Sequence, residues 1–232
     1  MKKIRCQVEK VTPFNDAVYQ VFLKPDTDFS HKAGQYLSIV MDDKDKRAFS
    51  IASAPNADMI ELHIGASVNE KYPMQVVERL LNESYIHIEA PAGDAWLRGE
   101  SLRPRLLIAG GTGFSYIKSI IEHQIAENQK IETTLYWGCR DQNAMYYESL
   151  ARQWHDKYPW LHFVAVVENA ENHWQGQEGN LLEQIRNDYE SLAGYDVYIA
   201  GRFEMVGVAR ALFRTMNVEE AHLYGDAFAF IK

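Results

Sequence analysis

Two short stretches carry residue types that could do chemistry. In Arg105-Leu106-Leu107-Ile108-Ala109-Gly110-Gly111-Thr112-Gly113-Phe114, an apolar run breaks into a glycine cluster. Ile117, Ile120, Ile121 and Ile125 then follow at helical spacing. The run reads as a strand buried on both faces, as in parallel sheets. A strand, a glycine turn and a helix together aim unpaired helix N–H groups at an anionic phosphate. Gly110, Gly111 and Gly113 lack Cβ atoms, so the backbone can approach such a group and adopt φ > 0. The spacing is not that of other glycine motifs. Tyr116 stands where Gly-x-Gly-x-x-Gly needs its third glycine, and Thr112 and Ile117 break a Walker A pattern ahead of Lys118-Ser119. Ile117 also replaces the closing glycine of a nucleophile elbow. A tight turn without a ligand is the competing reading.

The second stretch is Arg47-Ala48-Phe49-Ser50. A guanidinium suits a phosphate or a polyol chain, Phe49 and Tyr36 offer flat faces, and the Ser50 hydroxyl both donates and accepts. Together they suit a planar heteroaromatic ring with polar edges, although an aromatic on a strand is more often core. Two further glycine turns follow apolar runs, Gly138-Cys139-Arg140-Asp141 and Gly201-Arg202-Phe203-Glu204-Met205. In a dinucleotide fold an acidic residue at the first of these binds the adenosine ribose, and an arginine suits a 2′-phosphate. Arg140 and Asp141 leave NADPH and NADH both open, and Arg140 reads equally well as a surface salt-bridge partner. Glu204 in a first helical turn complements the helix dipole.

The elements that position these residues fall into two kinds. Over residues 1–101 short strands alternate with turn signals, and one helical patch spans Met74 to Leu81. Ile60, Leu62 and Ile64 alternate with Glu61 and His63, which predicts a strand with one polar face. His63 reads by default as a satisfied histidine among apolar neighbours. Six or so antiparallel strands with one helix predict a small all-β Greek-key antiparallel barrel domain. Over residues 102–232 buried-strand runs at Leu106–Ala109, Thr134–Gly138, Phe163–Val167 and Val197–Ala200 alternate with amphipathic segments, ahead of a short strand at His222–Tyr224. That alternation predicts an α/β doubly wound parallel-sheet nucleotide-binding domain.

Composition removes several classes. A net charge of −8 argues against nucleic acid as a partner. No apolar run approaches the roughly 18 residues of a membrane helix, and the N-terminus reads into a strand instead of a signal peptide. Cys6 and Cys139 make neither a disulfide framework nor a Cys-x-x-Cys pair, which fits a reduced, cytoplasmic protein. The eight histidines form no pair at metal-ligand spacing, so no metal site is expected. Nothing reads as an obligate apolar interface, so a monomer is expected.

In order and spacing these motifs resemble the bacterial NAD(P)H:flavin oxidoreductases, the free-flavin reductases of the ferredoxin–NADP reductase superfamily, essentially end to end. Arg47-Ala48-Phe49-Ser50 looks like that superfamily's flavin motif, and Gly110 to Ser115 looks like its pyridine-nucleotide turn. Pro91-Ala92-Gly93-Asp94-Ala95-Trp96-Leu97 and Tyr224-Gly225-Asp226-Ala227-Phe228-Ala229-Phe230 look specific to the flavin reductase branch. The resemblance implies that Arg47, Ala48, Phe49, Ser50 and Tyr36 bind the flavin, with the Ser50 hydroxyl near N5. His63, Ile64, Gly65 and Ala66 would line the pyrimidine edge, and Phe230 would lie beside the ring. Gly110, Gly111, Thr112, Gly113, Phe114 and Ser115, with Arg140, would hold the nicotinamide nucleotide. Gly201, Arg202, Phe203, Glu204 and Met205 would support its nicotinamide end.

Departures sharpen the implied chemistry. Superfamily members that retain FAD carry a Gly-Gly and Ser/Thr turn at the barrel helix; Gly65-Ala66-Ser67-Val68-Asn69-Glu70-Lys71-Tyr72-Pro73 has one glycine and an acidic Glu70 that would repel phosphate. The expected flavin (riboflavin, FMN or FAD) is therefore held by its ring and ribityl chain, loosely, as a substrate that leaves. The superfamily's usual cysteine ahead of Gly201 is replaced by Ala200. Reduced flavin would pass to oxygen, to ferric complexes, or to a flavin-consuming monooxygenase or luciferase as a transient partner. The rival readings are a tight-flavin electron transferase and a nucleotide-binding subunit without activity.

Overall fold

A computed structural model of the chain describes residues 1–67 and 71–231. Glu70, expected above to repel a phosphate, lies outside the described residues, as do Val68 and Asn69.

Six antiparallel strands come first: β1 (Lys2–Asn15), β2 (Val18–Pro25), β3 (Tyr36–Val40), β4 (Lys46–Ser50), β5 (Ile60–Gly65) and β6 (Tyr85–Ala92). They lie in the order β4-β3-β6-β1-β2-β5, and a bridge between Ile51 and Leu62 brings the two edges together into a barrel. The charged tip of the β3–β4 hairpin is organised by Asp42, whose carboxylate accepts from the backbone N–H groups of Lys44 and Asp45. Helix α1 (Lys71–Asn82) buries Val76, Val77 and Leu80 against the barrel core. Strand β5 corrects the sequence reading. It has no solvent face: Ile60 to Ile64 are all buried, Glu61 and His63 included.

The second unit is a wholly parallel sheet of β7 (Arg105–Gly110), β8 (Thr133–Cys139), β9 (Leu161–Val167), β10 (Gln177–Glu178), β11 (Asp196–Ala200) and β12 (Leu223–Tyr224). Its order is β10-β9-β8-β7-β11-β12. The chain runs outward from β7 to β10 and then returns to the other side of β7. The order therefore reverses between β7 and β11, the place where open α/β sheets bind ligands. Helices α2 (Phe114–Ala126) and α3 (Glu148–Lys157) cover one face, while α4 (Leu181–Asp188) and α5 (Phe203–Thr215) cover the other. Along β7, Leu107 and Ala109 enter the first layer and Leu106 and Ile108 the second, the pattern of a strand buried on both faces.

Helix α2 is the hinge of the architecture. Its isoleucines face the sheet, as the spacing predicts. Its other side is not solvated, however, because the barrel packs there and buries Lys118 and Ser119 as well. The Ser119 hydroxyl donates to the Ser53 carbonyl at 2.8 Å, and the Tyr116 hydroxyl donates to the Ala95 carbonyl.

Candidate active site

A crevice of about 1310 Å³ runs along the line where the barrel meets the carboxyl ends of β7, β8 and β11. The barrel contributes Ala48, Phe49, Ser50, His63 and Gly65. The sheet contributes Gly110, Gly111, Thr112, Gly113 and Ser115 after β7, Arg140 after β8, and Gly201, Arg202, Glu204 and Met205 after β11. Residues about 50 to 150 positions apart thus meet because one fold edge abuts the other.

The β7 turn is a short 3₁₀ segment, Gly111–Gly113, running into α2. No side chain caps either start. The Phe114 N–H is taken by the Gly111 and Thr112 carbonyls, so it is the N–H groups of the glycine turn ahead of it that can face an anionic ligand. The three glycines do not share one reason. Only Gly111 has a left-handed φ, +53°, and a Cβ there would meet open space. Gly113 is helical, but its Cβ would collide with the Ala200 carbonyl at the end of β11. Gly111 thus opens the cradle and Gly113 lets α2 reach the sheet. Trp137, in the run that forms β8, fixes this turn: its indole N–H donates to the Gly111 carbonyl at 2.9 Å. Phe114 stacks on Trp137 with ring centroids 3.9 Å apart and is fully buried. Its side chain is core beneath the turn, so any contact it makes with a nucleotide is through its backbone.

On the barrel side the Ser50 hydroxyl forms no hydrogen bond with any described residue, although it lines the crevice beside Phe49. An unpartnered hydroxyl next to a flat apolar face fits the polar edge of a planar ring. Arg47 does not line the crevice, contrary to expectation. Its Nε and Nη2 donate to Asp45, Nη2 also reaches Gln75 Oε1 at 2.8 Å, and Nη1 reaches the Tyr72 carbonyl. The guanidinium lies 3.7 Å over the Tyr72 ring. Arg47 thus ties the hairpin tip to α1, and hydrogen bonding to Arg47 holds the Asp45 carboxyl below its usual range.

Other expected contacts divide. Ile64 and Ala66 are fully buried in the barrel core and do not line the crevice, because β5 turns those side chains inward. Tyr36 is half-buried beside Gly93 and Asp226, outside the crevice lining. Phe203 and Phe230 are exposed, with rings 6.1 Å apart, and line no part of the crevice either. Arg140 is largely free, 3.7 Å from the Asp141 carboxylate, whose other oxygen caps the following turn at Ala144 N. Cys139 is largely buried where the crevice meets the end of β8, and burial pushes its thiol up to about 12, which disfavours the reactive thiolate. Sequence reasoning missed Glu168, Asn180, Arg186 and Asp226 in the lining. Only Asn180, which caps α4 by accepting from Leu182 N and Glu183 N, carried a readable signal. Asp226 accepts from the N–H groups of Asp94 and Ala95 at 3.0 and 3.2 Å, so the two segments that look specific to the flavin reductase branch touch.

His63 is satisfied on both sides, as its sequence setting predicts. Nε2 lies 3.0 Å from Glu61 Oε1 and Nδ1 lies 2.9 Å from the Tyr146 hydroxyl. Burial keeps the imidazole below its usual pKa despite Glu61. Burial would raise the Glu61 carboxyl, but the His63 hydrogen bond and the Lys118 charge bring it down to about 2. Above pH about 4.5 Glu61 therefore contributes stability, and that contribution fades as the pH falls toward 2, where the native state must also take a proton. Glu61→Gln should flatten the acid limb of urea-unfolding free energy over that window by about one proton's worth of slope. An unchanged limb would show that Glu61 is not the group titrating there.

The crevice thus lies where a β-barrel abuts the carboxyl ends of a parallel α/β sheet. Residues 107–211 match the family model of the oxidoreductase NAD-binding domain. The chain is 47% identical to an NAD(P)H-flavin reductase of Vibrio harveyi over 98% of its length and 99% of that protein. It is 45% identical to an NAD(P)H-flavin reductase of Aliivibrio fischeri, again over 98% and 99%. The chain belongs to the NAD(P)H-flavin reductase family. Its fold is that of the Amycolatopsis cytochrome P450 reductase, with a TM-score of 0.86 at 20% identity over 97% of this chain and 69% of that one.

Proposed function

We propose that the chain is an NAD(P)H:flavin oxidoreductase that takes riboflavin, FMN or FAD as a loosely held substrate and releases it reduced. One observation carries the reading: an unpartnered hydroxyl beside an aromatic face, on Ser50 and Phe49, lines the same crevice as an uncapped glycine turn. The two bound molecules supply the chemistry, transfer of a hydride from nicotinamide C4 to flavin N5. The chain supplies position. Phe49 and Ser50 orient the ring, Gly111 and the α2 start receive the nucleotide, and closure of the crevice around both excludes water. No side chain is needed as a general base.

One detail supports loose binding: Arg47, which could have gripped a phosphate, is committed to Asp45 and α1. The test is oxidation of NADPH and NADH with and without added riboflavin. Oxidation that requires the flavin supports the reading, and nucleotide binding without flavin-dependent oxidation defeats it. Within this reading Arg140 meets a 2′-phosphate, so Arg140→Ala should raise KM for NADPH about tenfold and leave NADH unchanged. Equal effects on both nucleotides would return Arg140 to the surface. No described helix is long and apolar enough to cross a membrane, and a cytoplasmic monomer feeding reduced flavin to a monooxygenase or luciferase completes the proposal.

A further inference from the structure

A buried cluster of charged groups lies outside the crevice, between the two units. Lys118 Nζ is 2.7 Å from Glu61 Oε2 on β5, 2.7 Å from Glu122 Oε2 one turn along α2, and 3.5 Å from the Ala52 carbonyl. Its three N–H groups are thereby used. Glu61 in turn accepts from Gln20 Nε2 of β2 at 2.7 Å and from His63, which lines the crevice and reaches Tyr146 ahead of α3. One lysine thus joins β2, β5 and α2, and through His63 the segment before α3. Helix α2 begins at the nucleotide turn, and β5 ends at Gly65 in the crevice wall, where a Cβ would stand 3.1 Å from the Thr112 methyl. A buried ion pair adds little net stability compared with apolar packing, so its worth lies in the one geometry it permits.

We propose that Lys118 is a positioning residue for the reaction, resting on the reading of the crevice given above: it pins the turn Gly110–Gly113 to the barrel, so that the two rings are held at one separation. The groups facing it are Glu61 and His63 from β5, Gln20 from β2, Glu122 from its own helix, and Tyr146 and Tyr147 from the segment before α3. With the cation present, Glu61 stays ionised and His63 neutral. Without it, the Glu61–His63 pair faces Glu122 uncompensated and takes up a proton in mildly acidic solution.

The experiment compares wild type, Lys118→Met and Lys118→Arg by single-turnover oxidation of NADPH with saturating riboflavin, across pH 5 to 8, alongside KM values and thermal melting. Lys118→Met should slow the transfer by roughly 30- to 100-fold while KM for either substrate moves less than about threefold, since a small misplacement is felt in the rate. Its rate should also acquire a pH dependence that wild type lacks. Lys118→Arg, which keeps the charge, should recover to within about fivefold of wild type. A folded Lys118→Met with wild-type rate and a flat pH profile overturns the proposal. If Lys118→Met does not fold, Glu122→Gln carries the test by removing only the half-exposed partner; a rate slowed at least about threefold supports the proposal and an unchanged rate overturns it. Wild type that oxidises neither NADPH nor NADH with riboflavin would instead refute the function itself.

Discussion

Ser50→Ala should lower kcat by about a hundredfold while KM for the flavin changes less than about threefold, the pattern of an interaction made mainly in the transition state. The hydroxyl lines the crevice without a described protein partner, so its removal strands no buried group and opens no large cavity. Stability should therefore be unaltered, which separates this variant from a folding defect. Phe49, the aromatic neighbour, stays in place to bind the ring. Steady-state kinetics with riboflavin and a melting curve decide the matter. Turnover unchanged in Ser50→Ala would remove the serine from the chemistry.

Gly113→Ala should act in the opposite way, through the fold. A Cβ at this position collides with the Ala200 carbonyl and lies 3.1 Å from the Gly201 nitrogen, so backbone and not a flexible side chain must yield. The start of α2 would be pushed off the end of β11, at a cost of about 3 kcal/mol or more. Nucleotide use should fall with stability, because the same shift opens the turn. Gly111→Ala is the informative contrast: it meets open space, and left-handed backbone strain alone costs about 1–2 kcal/mol. Urea unfolding of the two variants should rank them in that order.

Much of the fold was legible because periodicity reports burial. The run at Leu106–Ala109 is apolar on both faces since helices cover both, and every later strand of the sheet except Gln177–Glu178 announced itself likewise. That pair is polar, exposed and two residues long, so no pattern marks it. Strand β5 misled for the converse reason. Glu61 read as part of a polar face, but Lys118 arrives from more than 50 residues away to pair with it, and pairing across that distance leaves no local trace.

The site was legible in its outline and less so in its contacts. Ser50, Phe49 and the glycine turn line the crevice that their chemistry suggests. Arg47 and Phe114 could not be placed by type alone. A guanidinium serves a phosphate or a neighbouring carboxylate equally well, and Asp45 is two residues away. Phe114 follows the glycines directly, yet the helix turns it onto Trp137.

The most direct test mixes the purified chain with excess FMN, passes it through gel filtration, and reads the flavin absorbance of the protein fraction. A chain that grips only ring and ribityl groups emerges colourless and regains activity when flavin is restored. A stoichiometric flavin travelling with the protein would contradict the account.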